Sequence, residues 1–293
     1  MVMDRSVSCS IIIPTKDRPS MLERAVKSAL GAVAPDGEVL VVDDHSITPA
    51  AEVLKDVEDQ RLRIFRREDG KPGVSATRNA GLHQSSGEVI LFLDDDDEML
   101  PDYCKRVLMI DKTKADYGFS AYERRKIDGR RILEKRFVDG VIDKTAPVRK
   151  KLCGFGMGFW MTRQTFEESG EVDVELSINE DTEYVCRLIA AGKRCWYTSE
   201  SGVIVHEHAS PGVSDAQHLT RISRPDERAR CMRVVADRYP SMVDHLGAKY
   251  VAHLAKSKQL CVALSYSFVQ TSVKRKVRFS LIALLKTVAS WLR

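Results

Sequence analysis

The sequence predicts an α/β fold, with a central, mostly parallel β-sheet and a helical C-terminal extension. Three observations lead there. β-branched apolar runs alternate with segments of helical period through the first half of the chain. Several of these runs stop at polar, mostly acidic residues, as buried parallel strands do where their loops emerge. From about Pro225 onward strand patterns cease and helical ones take over. With 293 residues the chain exceeds one typical domain without filling two large ones. The expected division is therefore a first domain over residues 1–220, itself in halves meeting near residue 102, and an extension over residues 221–293.

The first strand is Val7 to Ile13, apolar and β-branched, ending at Pro14. A helix follows from Pro19-Ser20 through Met21, Leu22, Ala25, Val26, Ala29 and Leu30, with Gly31 to end it. Glu38 to Val42 is a second buried strand and delivers Asp43-Asp44-His45-Ser46 at its end. Residues 50–60 read as a short helix and Leu62 to Phe65 as a third strand. A helix opened by Gly73 runs to Leu82, and Glu88 to Leu93 forms the most hydrophobic strand, ending in Asp94-Asp95-Asp96-Asp97. Asp102 to Met109 is helical, and Asp128-Gly129 marks a hairpin turn between short strands. The glycine-rich aromatic stretch Gly154 to Trp160 leads into a helix near Arg163, and Asn179-Glu180-Asp181 opens another that Gly192 ends. Val203 to Val205 is a strand running into His206-Glu207-His208. The tail reads as three or more helices broken at Pro240 and near Gly247.

Composition is that of a globular protein, with 43% hydrophobic and 30% charged residues and no run of 18 apolar residues. The N-terminal segment is too polar for a signal peptide. Seven cysteines, an odd number with no CxxC pair, read as reduced packing residues. The expected location is therefore cytoplasmic. The net charge of +4 conceals a split: residues 250–293 hold eight Lys or Arg and no Asp or Glu, leaving the first 249 at −4 by subtraction. No nucleic-acid partner is expected. For the last helix, with Val277, Leu281, Leu284, Leu285, Val288, Trp291 and Leu292 on one face and Lys274, Arg275, Lys276 and Arg278 at its start, two partners fit: the rest of the protein, or an anionic membrane surface met by residues 270–293.

Four aspartates after a buried strand are hard to explain structurally, because repulsion and desolvation both oppose crowding carboxylates there. A solvated acidic turn before Pro101 is the bland alternative. Oxygen-only ligands suit a hard divalent ion, Mg²⁺ or Mn²⁺, of the kind that bridges to phosphate oxygens. No GxGxxG follows the first strand, which excludes a dinucleotide-dependent dehydrogenase.

In this order and spacing, Ser10 to Pro19, Val41 to Ser46, Gly73 to Gly81, Leu93 to Asp97 with Pro101-Asp102, and Asn179 to Glu183 resemble the motifs of the family-2 inverting glycosyltransferases. The resemblance covers roughly residues 7–215 and implies a nucleotide-sugar-binding α/β sandwich of the GT-A type. The two halves of the first domain would then bind donor and acceptor. The activity implied is metal-dependent transfer of a hexose or N-acetylhexosamine from a nucleotide sugar, UDP favoured, to a hydroxyl of a glycan or lipid-linked acceptor. For the donor it implies Pro14, Thr15, Asp43, Asp44, Arg78, Asp94 and Asp95, and for the metal Asp96 and Asp94 with His208 or His206. Of the two histidines at this strand end one is expected to face the cleft; His208 fits better, because Ser210 to Ser214 resembles the family's following loop. Arg78 could equally be a helix-surface arginine paired with a neighbouring acid. An inverting transfer needs a general base. Asp181 resembles it, with Glu180 second, although a carboxylate at a helix start is also a common cap. Trp160 is the one aromatic named as an acceptor contact, against core packing as the alternative. A nucleotidyltransferase would need a basic phosphate loop that does not follow Pro14, and a non-catalytic carbohydrate-binding protein would not need Asp94, Asp96, Glu180 and Asp181 all intact.

Overall fold

The computed structural model describes residues 8–208, 224–257, 259–268, 270 and 272–291. Ser210 to Ser214 and Leu292 lie outside the described residues. The chain divides into two compact units, Met1–Glu175 with Arg187–Ala216, and Leu176–Cys186 with Gln217–Arg293.

In the first unit the strands are β1 (Cys9–Thr15), β2 (Glu38–Asp44), β3 (Leu62–Arg67), β4 (Val89–Phe92), β5 (Glu98–Met99), β6 (Tyr117–Arg125), β7 (Arg131–Glu134), β8 (Gly140–Val141), β9 (Trp160–Thr162) and β10 (Cys195–His206). They form one sheet in the order β3-β2-β1-β4-β9-β6-β10-β5, with β7 on β6 and β8 on β10. β1 pairs in parallel with β2 and β4, β2 with β3, and β6 with β10, so most registered residue pairs are parallel. The short strands β5, β7, β8 and β9 pair antiparallel.

Every residue of β1, β2 and β4 is buried, as continuous apolar strands covered on both faces must be. β3 closes one side of the sheet and carries the exposed Arg63, a charge at the edge that discourages pairing with another chain. Helix α1 (Pro19–Ala32) starts with proline and buries Leu22, Ala25, Val26, Ala29 and Leu30 at helical spacing. The helix α2 (Ala50–Val53) is a single turn, shorter than the residues 50–60 expected. Helix α3 (Val74–Gln84) crosses the sheet at Gly81, where any side chain would collide with Ile12 and crowd Val42. Helices α4 (Tyr103–Met109), α5 (Val148–Lys151) and α6 (Arg163–Ser169) complete the unit.

Two strands also differ from expectation. β9, only three residues long, is too short to show alternation, yet it bridges β4 to β6 in the middle of the sheet. β10 extends from Cys195, well before the expected Val203, because register shifts at Ser201 interrupt its pattern with polar residues.

Helix α7 (Glu180–Ala190) begins in the second unit. The remaining helices of that unit are α8 (Pro225–Arg238), α9 (Val243–Lys256), α10 (Leu260–Phe268) and α11 (Val273–Trp291). A 3-10 turn over Pro240–Met242 separates α8 from α9. Gly247 does not break the helix: α9 runs through it, and a Cβ there would lie 2.9 Å from the Phe279 ring, so the glycine permits close helix packing. Tyr250 and Tyr266 meet edge to face at 4.7 Å, and Arg233 lies over both rings. All seven cysteines are free, with Cys261 alone exposed.

Candidate active site

The parallel alignment of β1, β2, β4, β6 and β10 brings their carboxyl ends to one edge of the sheet, the side on which α/β sheets bind ligands. Asp94 to Asp97 emerge there from β4. Asp95, Asp96 and Asp97 are 4 to 5% exposed, so their charges are largely out of water and need partners. Asp95 Oδ2 accepts from Thr15 Oγ1 at 2.7 Å, joining the ends of β1 and β4. Arg18 Nη1 donates to Asp95 Oδ1 at 2.8 Å and to Asp96 Oδ2 at 3.0 Å. Arg24 Nη2 donates to the Asp96 carbonyl at 2.5 Å. Asp97 Oδ1 accepts from the His206 backbone N–H at 2.9 Å, tying in β10.

Burial, reinforced by Asp96 and Asp94, pushes the Asp95 carboxyl up to about 6, with Arg18 and Thr15 opposing it. Asp97 is held well above the usual carboxylate range by burial and then by Asp96 and Asp94. Arg18 itself is half-desolvated, which works against its charge, yet Asp95 and Asp96 keep its guanidinium above its ordinary range. One carboxylate oxygen from each of Asp94, Asp96 and Asp97 falls within 4.8 Å of the others, an oxygen-only set able to hold a hard cation.

Asp94 is the most open member, with 38% of its side chain exposed. Its Oδ1 accepts from Arg78 Nη2 at 3.1 Å, and the Arg78 guanidinium stacks over Phe155 at 5.1 Å. Arg78 is therefore not a surface arginine; it is 6% exposed and aimed from α3 at the cluster. Gly156 lies against Asp94, where a Cβ would collide with Oδ2. The two histidines find different partners although their ring centroids are 6.5 Å apart: His206 is the last residue of β10, and His208 lies beyond the strand. The His206 ring is 2.6 Å from Glu98 Oε1, whereas His208 Nε2 is 3.5 Å from Asp96 Oδ2. His206 is thus turned to Glu98 and not to the aspartates, and its ring is held below its ordinary pKa chiefly by burial.

At the end of β2 the two aspartates do different work. Asp43 accepts from the backbone N–H groups of Ser46 and Ala50, both at 2.9 Å, and from Arg66. It is 1% exposed and fixes the loop after β2. Asp44 accepts from Arg67 Nη1 at 2.7 Å and from the Gly73 N–H at 2.8 Å, linking β2, β3 and the start of α3. Pro14 and Thr15, both buried, end β1 beside Val42 and Asp43.

Trp160 requires a correction. It is 0% exposed, paired to Leu91 and Gly118 within the sheet, with Gly118 leaving room for its ring. A side chain so enclosed is core and cannot touch an acceptor. Glu180 and Asp181 belong to the second unit. Glu180 is buried and Asp181 half-buried in the first turn of α7, after Asn179 at φ 65°. Neighbouring Glu183 accepts from Tyr239 Oη at 2.7 Å.

Two arginines were missed as site residues by sequence reasoning. Arg18 stands inside a motif stretch, and the signal available was that a buried acidic run needs a nearby cation. Arg67, 6% exposed, gave no signal, since a charged residue at the end of an edge strand reads as solvated.

A sheet with parallel strand ends converging on a buried acidic cluster is the construction of the nucleotide-sugar-binding glycosyltransferases. The family model described as glycosyl transferase family 2 matches residues 10–169, more than half of the chain, and the protein belongs to that family. It is 31% identical over 183 residues to the GalNAc(5)-diNAcBac-PP-undecaprenol beta-1,3-glucosyltransferase of Campylobacter jejuni, covering 60% of this chain and 58% of that relative. It is 25% identical over 240 residues to the succinoglycan biosynthesis protein ExoO of Rhizobium meliloti, covering 77% and 68% of the two chains. Among solved structures, S. aureus TarS in complex with UDP-GlcNAc superposes with a TM-score of 0.74 at 16% identity, covering 97% of this chain and 89% of that one. At that identity the likeness establishes the fold. The chain spans 58% of the length of the Campylobacter relative, and it carries the family's domain as a mixed α/β sheet, mostly parallel, with C-terminal helices.

Proposed function

We propose that this glycosyltransferase moves a hexose or N-acetylhexosamine, with inversion, from a UDP-activated donor to a hydroxyl of a lipid-linked glycan, using Mn²⁺ or Mg²⁺. The observation that carries the reading is the convergence of Asp94, Asp96 and Asp97 within 4.8 Å at the ligand-binding edge of the sheet. Their clustered carboxylate oxygens fit a divalent ion, with His208 beside Asp96 as a further donor. Such an ion supplies charge stabilisation to a departing diphosphate.

The chain's own residues do the rest. Arg78 and Arg18 face the cluster and orient negatively charged oxygens near it. Thr15 and Asp44, at the ends of β1 and β2, are assigned to the nucleoside, Asp44 being positioned by Arg67 and Gly73. Asp181 accepts the proton of the attacking hydroxyl, with Glu180 as the second carboxylate in that turn. The UDP assignment draws on the TarS complexes with UDP-GlcNAc and UDP, and the acceptor on the polyprenyl diphosphate named for the Campylobacter relative. A lipid-linked acceptor sets the reaction at a membrane surface, and the reading keeps the enzyme cytoplasmic and peripheral at the inner face. Among the described residues no helix is long and apolar enough to cross a membrane.

The test is a screen of nucleotide sugars for metal-dependent release of nucleoside diphosphate, repeated with Asp181→Asn. Release with a UDP sugar, loss on chelation, and an Asp181→Asn variant that binds donor but transfers no sugar are expected. Turnover unaffected by chelation would remove the metal from the reading, and near-normal transfer by the variant would remove Asp181 as base.

A further inference from the structure

The last helix packs through one stripe and leaves another uncovered. Phe279, Ala283 and Thr287, four residues apart, are at most 2% exposed. Phe279 stacks on Tyr266 of α10 at 6.2 Å and closes on Gly247 of α9, so this stripe fastens α11 to its own unit. At about 100° per residue, the exposed stripe falls on the far side of the helix. It comprises Val273, Val277, Leu281, Leu284, Leu285 and Val288, which are 46 to 74% exposed. Within its own unit, therefore, the leucine-rich face is not the face that packs.

Six aliphatic side chains in one stripe are more than scattered surface residues and mark an interaction site. Its chemistry selects the occupant. Lys274 and Arg278, both exposed, flank the stripe on the side of Leu285, and no Asp or Glu occurs anywhere from residue 250 onward. A second copy docking through this face would offer Lys274 and Arg278 no acid on the helix to pair with. An anionic bilayer satisfies both features, taking the aliphatic side chains among its acyl chains and the cations among its headgroups.

We propose that α11 is an interfacial helix that seats the protein on anionic lipid through the Val277 to Val288 face, with Lys274 and Arg278 at the headgroups. The proposal deepens the lipid-linked acceptor reading, but its test needs neither donor nor acceptor. The full chain is sedimented with phosphatidylcholine vesicles, alone or containing phosphatidylglycerol, at low and high salt. The same is done for the double variants Leu281→Glu/Leu285→Glu and Lys274→Glu/Arg278→Glu, both at exposed positions and checked by circular dichroism. Binding confined to the anionic vesicles, weakened by salt, and reduced roughly tenfold or more by either variant is expected. Equal binding of the wild type and the apolar-face variant overturns the proposal, as does equal partition onto neutral vesicles. No vesicle binding, with self-association that Leu281→Glu/Leu285→Glu abolishes, gives the face to a second copy and overturns it too. Metal-dependent donor hydrolysis is measured alongside: vesicle binding without hydrolysis sinks the catalytic reading alone, and hydrolysis without vesicle binding sinks this proposal alone.

Discussion

At the carboxyl edge of the sheet, Asp95, Asp96 and Asp97 are charged side chains with 4 to 5% of their surface exposed; on the last helix, Leu281 and Leu285 are aliphatic side chains with 54 and 67% exposed. The two regions break opposite rules of burial, and each departure raises the free energy of the chain standing alone. The two proposals assign each a different kind of ligand: a cation for the crowded carboxylates, and an anionic apolar medium for the aliphatic stripe bordered by lysine and arginine. The lesson is that a residue in the wrong environment for its chemistry identifies the missing partner's chemistry as well as its location.

The comparison breaks first, and by the largest effect, at Asp96. Asp96→Asn is expected to lower kcat/KM for sugar transfer by about a thousandfold or more while leaving the melting temperature unchanged or higher, since it removes one of several mutually repelling charges. A melting temperature that falls with the activity would make the cluster a structural device. Gly156→Ala sharpens the same region: its Cβ collides with Asp94 Oδ2 and must displace that carboxylate. A loss of about ten- to a hundredfold in kcat/KM is expected, with near-native circular dichroism, because small misplacements in a site are costly. Normal activity would show that the position of Asp94 is not critical.

The smallest effect probes how the helical unit treats a buried ionisable group. His253 in α9 has its Nδ1 buried with no hydrogen-bond partner among the described residues, and burial, then Lys256, Arg228 and Lys249, lowers its pKa from 6.5 to about 4. The fold thus disfavours the charged ring. Stability from this residue is complete above 6.5 and is lost as pH falls toward 4. Between pH 7 and pH 5 the loss should be on the order of 1 kcal/mol, discounted for partial exposure. Urea unfolding at both pH values, compared with His253→Gln, isolates it. An identical loss in the variant would assign the sensitivity to other groups.

Local pattern carried much of this protein. β1, β2 and β4 were legible because a buried strand is apolar over its whole length, and the aspartate run was legible because it follows such a strand without a break. The hairpin at Asp128-Gly129 and the amphipathic α1 announce themselves in adjacent residues for the same reason. β9 did not, since three residues hold no period, and Trp160 with it was misread as an acceptor contact. Asp43 and Asp44 looked alike as neighbours. Only their partners distinguish a loop fastener, bonded to Ser46 and Ala50, from the carboxylate that joins Arg67 to Gly73.

The sequence by itself determined which residue types occupy the strand ends and which stretch is free of acids, because both are properties of residues next to one another. Tertiary structure alone decided that Thr15 and Arg18 close on Asp95 across 80 and 77 residues of chain. It likewise decided that His208 and not His206 turns to Asp96, and that α11 packs through Phe279 and leaves its leucines outside. Those outcomes depend on which side chains are brought together by elements far apart in the chain, and periodicity within one element carries no information about that.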